Sequence, residues 1–122
     1  MCNPPYVYSV MYDPTASYYI TALGNGAVCV VKRKSLKITH YLGVHNQRII
    51  DAVLSKDSTL FITASNDLSL GVSLYDVKSA TLQHKTNIQI NDAPNSILYN
   101  DWNKTIYVAD TGNDISKITI KY

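Results

Sequence analysis

An all-β fold built from successive units of short antiparallel strands is predicted, on three observations. All nine acidic residues are Asp, and the 122-residue chain contains no Glu. Glu favours helices while Asp favours turns and caps, and the ten Tyr with abundant Val, Ile and Thr favour strands. Short β-branched or aromatic runs are punctuated throughout by Gly, Asn, Asp and Pro, the pattern of antiparallel meanders. Finally, the chain repeats itself: Ile20-Thr21-Ala22 recurs as Ile62-Thr63-Ala64, a spacing of 42, and Ile106-Tyr107-Val108-Ala109 follows roughly 45 residues later.

Each unit can be read strand by strand. In the first, about 6–43, VYSVMYDP runs into an Asp-Pro turn and YYITAL follows as a second strand. Gly24-Asn25-Gly26 then makes a hairpin turn, since Gly and Asn tolerate positive φ, before AVCVV and LKITHYL. The second unit, about 46–90, repeats the order as IIDAVLSKDS, FITAS, VSLYDV and TLQHKTNI. The third, about 94–122, supplies NSILYNDWN, TIYVAD and ISKITI and then stops, so its outermost strand is absent. A period in the low forties with four strands per unit is that of a β-propeller blade.

The middle unit resembles the WD-repeat (WD40) family at several positions together. Gly43-Val44-His45 resembles its Gly-His element with one inserted residue, and Ile49 stands four after His45. Ser55-Lys56-Asp57-Ser58 is similar to a Ser-x-Asp-Gly turn with Ser replacing Gly, and Tyr75-Asp76 stands where a Trp-Asp pair would be. The outer units match more weakly: Val31-Lys32 replaces Trp-Asp in the first, and the third ends in Ile115, Ile118 and Ile120 without an aromatic. The resemblance implies a WD40-type β-propeller fragment of about three antiparallel blades. It also implies a buried hydrogen-bonded tetrad of His45, Asp67, Ser65 and Tyr75, although the turn from Leu68 to Gly71 is about two residues longer than the family's norm. Three blades are fewer than the four to eight that close a propeller. The chain is therefore expected to be the C-terminal part of a longer propeller, closed by its missing blades or by a second copy. Asn3-Pro4-Pro5, IYVAD and ISKITI further resemble the C-terminal end of one particular WD-repeat protein.

The remaining features exclude more than they propose. The net charge of +2 is near neutral, and Lys32-Arg33-Lys34 is the one dense basic run, too short for a nucleic-acid footprint. The N-terminus has no basic segment followed by an apolar one, and no apolar run approaches the ~20 residues of a membrane span. No nucleic acid or membrane partner is expected, and the location is expected to be intracellular, cytoplasmic or nuclear. Cys2 and Cys29 make no disulfide framework, and His40, His45 and His84 share no ligand spacing, so no metal or cofactor is expected. Ser9, Ser55 and Ser65 lie outside any G-x-S-x-G context, and the Gly24–Gly26 loop opens no helix that could cradle a phosphate. Asp110-Thr111-Gly112-Asn113-Asp114 lacks the terminal Glu of an EF-hand loop and reads as an inter-strand turn.

No catalytic residue emerges, and the chain is read as a non-catalytic protein-protein interaction scaffold, with Trp102 as a candidate surface anchor. The alternative is a substrate receptor of a cullin–RING ubiquitin ligase. Residues Phe61 to Asp67 followed by Tyr75-Asp76-Val77-Lys78 resemble the box such receptors carry, which would make Asp76 and Lys78 the adaptor contacts. Lys78 stands there in place of the commoner Arg and offers no planar fork to a carboxylate.

Overall fold

A computed structural model of the chain describes residues 7–112 and 114–119. Cys2, Asn3-Pro4-Pro5, Asn113, Ile120 and Lys121-Tyr122 lie outside the described residues. Eleven strands run in chain order: β1 (Val7–Tyr12), β2 (Tyr18–Leu23), β3 (Ala27–Lys32), β4 (Ile38–Gly43), β5 (Ile49–Leu54), β6 (Leu60–Ser65), β7 (Ser69–Asp76), β8 (Thr81–Gln89), β9 (Pro94–Asn100), β10 (Thr105–Asp110) and β11 (Ile115–Thr119). They form three sheets, β1-β2-β3-β4, β5-β6-β7-β8 and β9-β10-β11, every pairing antiparallel between sequence neighbours. No helix occurs among the described residues. This is the architecture of three consecutive propeller blades, the third with three strands.

Side-chain parity explains how the blades stack. Successive residues of a strand face opposite sides of the sheet. On β6, Phe61 packs with Ile20, Ala22, Val28 and Val30 of the first sheet, while Leu60, Ile62 and Ala64 pack with Ile97, Ile106 and Val108 of the third. The middle sheet is thus covered on both faces, which is why LFITAS is buried throughout instead of alternating. Leu23, Ala27 and Cys29 with Val31 form a smaller cluster on the side of the first sheet away from the second.

Seven of the hairpins share one backbone device, a residue at positive φ in the turn: Ala16 (57°), Gly26 (89°), Leu36 (55°), Ser58 (61°), Leu68 (64°), Ala80 (54°) and Lys104 (54°). A turn followed by a left-handed residue matches the twist of the flanking strands. Only Gly26 has the residue type that adopts this conformation freely. Ser58 is the position where Gly would complete the Ser-x-Asp-Gly pattern, and it carries the expected left-handed φ without the glycine. At Ala16, exposed in the β1–β2 turn, the methyl group contributes steric cost and no packing. Ala16→Gly is accordingly expected to raise stability by up to about 1 kcal/mol, the reverse of the usual Ala-to-Gly effect, measurable as a higher urea midpoint.

Because the strands meander, the connections gather at two ends. One end carries the turns 13–17, 33–37, 55–59, 77–80 and 101–104, tied together by Arg33 N–H to Ser17 O (3.0 Å), Tyr75 N–H to Thr59 O (2.8 Å) and Lys56 N–H to the Asp101 carboxylate (2.9 Å). The other carries 24–26, 66–68 and 111–114 with the inter-sheet links 44–48 and 90–93. It is tied by His45 N–H to Gly26 O (2.9 Å), Ile90 N–H to Leu68 O (2.9 Å) and Thr111 N–H to Ala93 O (3.0 Å).

Candidate functional site

The chemistry-bearing side chains converge where the link 44–48 crosses from the first blade to the second. Val44 and His45 N–H groups both point at Gly26 O, so the β2–β3 turn sets the height at which the His45 ring enters. The ring lies over Gly71 of β7: a Cβ there would meet Val44 Cγ1 at 2.4 Å, Thr63 Oγ1 at 2.6 Å and His45 Nε2 at 3.0 Å. Only a glycine leaves that room.

His45 Nδ1 is 3.1 Å from Asp67 Oδ2 and 3.0 Å from Ser69 Oγ, and its Nε2 is 2.7 Å from Thr63 Oγ1. Pairing with a carboxylate sets the tautomer: Nδ1–H donates to Asp67, and the Thr63 hydroxyl donates to Nε2. Asp67 also accepts from the Ser69 hydroxyl (2.6 Å) and the Asn46 N–H (3.0 Å). Burial lowers the His45 pKa below the ordinary histidine value, although Asp67 opposes that shift. For Asp67, burial acts to raise the pKa, but hydrogen bonds from Ser69 and Asn46 and the proximity of His45 outweigh it, leaving it below the ordinary carboxylate value.

The arrangement Thr63–His45–Asp67 has the connectivity of an activated nucleophile, yet Thr63 is 2 % exposed and roofed by Gly71 and Val44. A substrate carbonyl cannot reach that hydroxyl. The network clamps the interblade link onto the middle blade.

Of the four residues expected in the tetrad, the structure brings His45 and Asp67 together and places the other two elsewhere. Ser65 is not the hydroxyl under the imidazole; it donates to Gln47 O (3.0 Å) and Arg48 O (2.9 Å) and accepts from Asp67 N–H (3.2 Å). Thr63, two residues earlier on the same face of β6, takes that place. Tyr75 is likewise outside the network. The longer turn expected from Leu68 to Gly71 is not formed: the turn is 66–68, and Ser69 to Gly71 are already strand paired with β6. Tyr75 stands at the far end of β7, where its buried hydroxyl donates to Asp13 Oδ2 at 2.9 Å. Burial and then the Asp13 carboxylate raise the Tyr75 pKa. Asp13 also accepts from Thr15 Oγ1 (2.8 Å), so the first blade's Asp-Pro turn holds a second interblade clamp. Tyr75→Phe removes one donor from a buried carboxylate and is expected to cost about 1–3 kcal/mol. An unchanged thermal midpoint in the variant would exclude such a clamp.

The histidines outside this network hold little. His40 Nε2 is 2.8 Å from Leu82 O across the first two blades, and His84 Nδ1 is buried without a partner among the described residues. Asp76 accepts from Lys78 N–H (3.0 Å) within its own turn, with Ser79 and Lys78 holding it below the ordinary carboxylate range, and Lys78 is exposed. Trp102 is 96 % exposed at the tip of the β9–β10 turn, whose shape is set by Trp102 N–H to Asn100 Oδ1 (2.9 Å).

No protein-family profile matches the chain. Among solved structures, the chain superposes on the β-propeller domain of Myceliophteria thermophila Cps50 (Swd1) with a TM-score of 0.81, at 11% identity over 99% of this chain and 38% of that one. It matches the C-terminal WD40 domain of Sif2 with a TM-score of 0.78, at 20% identity over 95% of this chain and 34% of that one. A Kuenenia stuttgartiensis hydrazine synthase chain also matches, with a TM-score of 0.77, at 20% identity over 97% of this chain and 34% of that one. The fold is therefore that of a partial WD40-type β-propeller. In sequence, the chain is 30% identical over 95 residues to human eukaryotic translation initiation factor 3 subunit I, covering 78% of this chain and 28% of that protein. The Xenopus tropicalis protein of the same name is 29% identical over 102 residues, covering 80% of this chain and 30% of that protein. The chain thus spans about three-tenths of the length of these curated relatives. The narrower likeness noted in the sequence is to WD repeat-containing protein 53; it rests partly on Asn3-Pro4-Pro5, outside the described residues. These relatives lend no support to a ubiquitin-ligase receptor role.

Proposed function

We propose that the chain is a non-catalytic protein-interaction scaffold of the WD-repeat type, acting inside the cell as part of a larger protein assembly. The observation that carries this reading is the use made of the polar side chains. His45, Asp67, Thr63, Ser65, Ser69, Tyr75 and Asp13 all bond inward to hold blades together, while the turns at both ends remain at the surface. Loops on a rigid scaffold are where binding residues concentrate. The hydrazine synthase neighbour warns that fold does not assign function, so the reading stands on the site. The relatives support it further, being named as subunits of an initiation factor. The count of three blades falls short of the four to eight that close a propeller. It favours completion of the ring by further blades or by a second copy.

The test is gradient sedimentation of the tagged chain in extract of its source cells. It is expected to travel with particles far heavier than its own 13.6 kDa, with other initiation factor 3 subunits among the co-sedimenting proteins. Sedimentation as the free chain would overturn the proposal.

A further inference from the structure

The basic residues look scattered along the sequence, but folding collects them. Lys32, Arg33, Lys34, Lys37, Lys56, Lys78 and Lys104, seven of the eleven Lys and Arg, lie in or beside the turns of one end. The opposite end carries Asp67, Asp92, Asp110 and Asp114 against Arg48. Four aspartates do share the basic end, and each is turned onto its own scaffold. Asp13 takes the Tyr75 hydroxyl, Asp57 the Ser55 and Thr59 hydroxyls, Asp76 the Lys78 N–H and Asp101 the Lys56 N–H. Among the described residues, none of Lys32, Arg33, Lys34, Lys37, Lys56 and Lys78 is ion-paired with a carboxylate. At the same end the exposed Trp102 borders a notch of about 430 Å³ that Lys56, Leu98, Asn100 and Asp101 also line. A fully exposed indole beside unpaired cations is the composition of an interface anchor, since Trp supplies buried area and basic groups supply orientation.

We infer that this end is a docking surface for an acidic protein segment that places an apolar side chain against Trp102 and its carboxylates on Lys56 and the neighbouring basic turns. A continuous phosphate backbone fits less well, because the four aspartates interrupt the basic track, whereas a peptide can space its acids to match. The opposite sign of the far end would orient the approach of such a partner. The inference rests on the scaffold reading and deepens it by naming the surface and the chemistry of the partner.

Trp102 is the sole tryptophan, so its fluorescence reports on this surface alone. The probe is a short synthetic peptide of Asp and Glu around a central Phe-Leu pair, titrated into the full chain. Trp102 emission is expected to shift to the blue, with affinity falling as salt is raised. In the Lys34→Glu, Lys56→Glu double variant, checked for an unchanged thermal midpoint, affinity is expected to drop at least about tenfold. Absence of a blue shift, or an equal response from the double variant, would overturn the inference. So would a single-stranded oligonucleotide of equal charge that shifts the emission at lower concentration. The double variant also separates this inference from the scaffold reading. If it sediments with the same heavy particles as the unmodified chain but has lost the peptide, the docking surface stands and other contacts hold the assembly. If it sediments so and binds the peptide as the unmodified chain does, only the docking surface falls.

Discussion

Gly26→Ala is expected to destabilise the protein by about 3 kcal/mol or more, because two independent costs fall on one methyl group. The first is conformational: Gly26 sits at φ 89°, where side chains are strained. The second is steric. A Cβ at Gly26 would lie 2.3 Å from His45 O and 2.6 Å from Gln47 O, both backbone atoms of the link to the middle blade. Neither can swing aside as a side chain would, because the Val44 and His45 N–H groups are bonded to Gly26 O. Relief must come from moving the link, which lifts His45 out of its socket. Gly43→Ala, where nothing lies within 4 Å of the new methyl, serves as the control and should stay within about 0.5 kcal/mol of the parent. Coincident urea midpoints for the two variants would refute the account.

His45→Ala is expected to cost on the order of 1–3 kcal/mol. The loss leaves the Asp67 carboxylate and the Thr63 hydroxyl short of a partner in a region where the imidazole had no exposed surface. A double-mutant cycle with Asp67→Asn should show coupling between the two sites, since both belong to one hydrogen-bonded group. The same pair predicts the acid response. The His45 pKa is lowered in the folded state, so the unfolded chain takes up its proton first. Its contribution is complete above about pH 6.5 and declines as the pH falls below that value. The Asp67 pKa is also lowered, so its contribution holds above about pH 3.9 and is lost as the pH falls further, through the folded value. Stability should therefore decline on acidification starting near pH 6.5, and the upper part of that decline should vanish in His45→Ala. A pH profile of thermal midpoints that is the same with and without His45 would contradict this assignment.

What the sequence determined by itself was local. Strand positions, turns and their threefold order follow from alternation, β-branched content and Gly, Asn, Asp and Pro placement, all of which act within a few residues. The pairing of His45 with Asp67 was legible through the family resemblance, because a buried imidazole and a nearby turn carboxylate satisfy each other. Which hydroxyl completes that pair was not legible. Thr63 and Ser65 share one face of β6, and the choice depends on how far the link 44–48 slides along the strand, a height set by Gly26 of another blade. Tyr75 was misplaced for a related reason: Ser69 to Gly71, expected in a longer turn, are strand, Tyr75 lies at the far end of that strand, and its partner Asp13 is 62 residues away. An Asp-Pro turn on its own signals a turn and says nothing of the phenol it will meet. The charge asymmetry of the two ends belongs to the tertiary structure alone. Basic residues separated along the chain come to lie at one end because an antiparallel meander returns alternate turns to the same end.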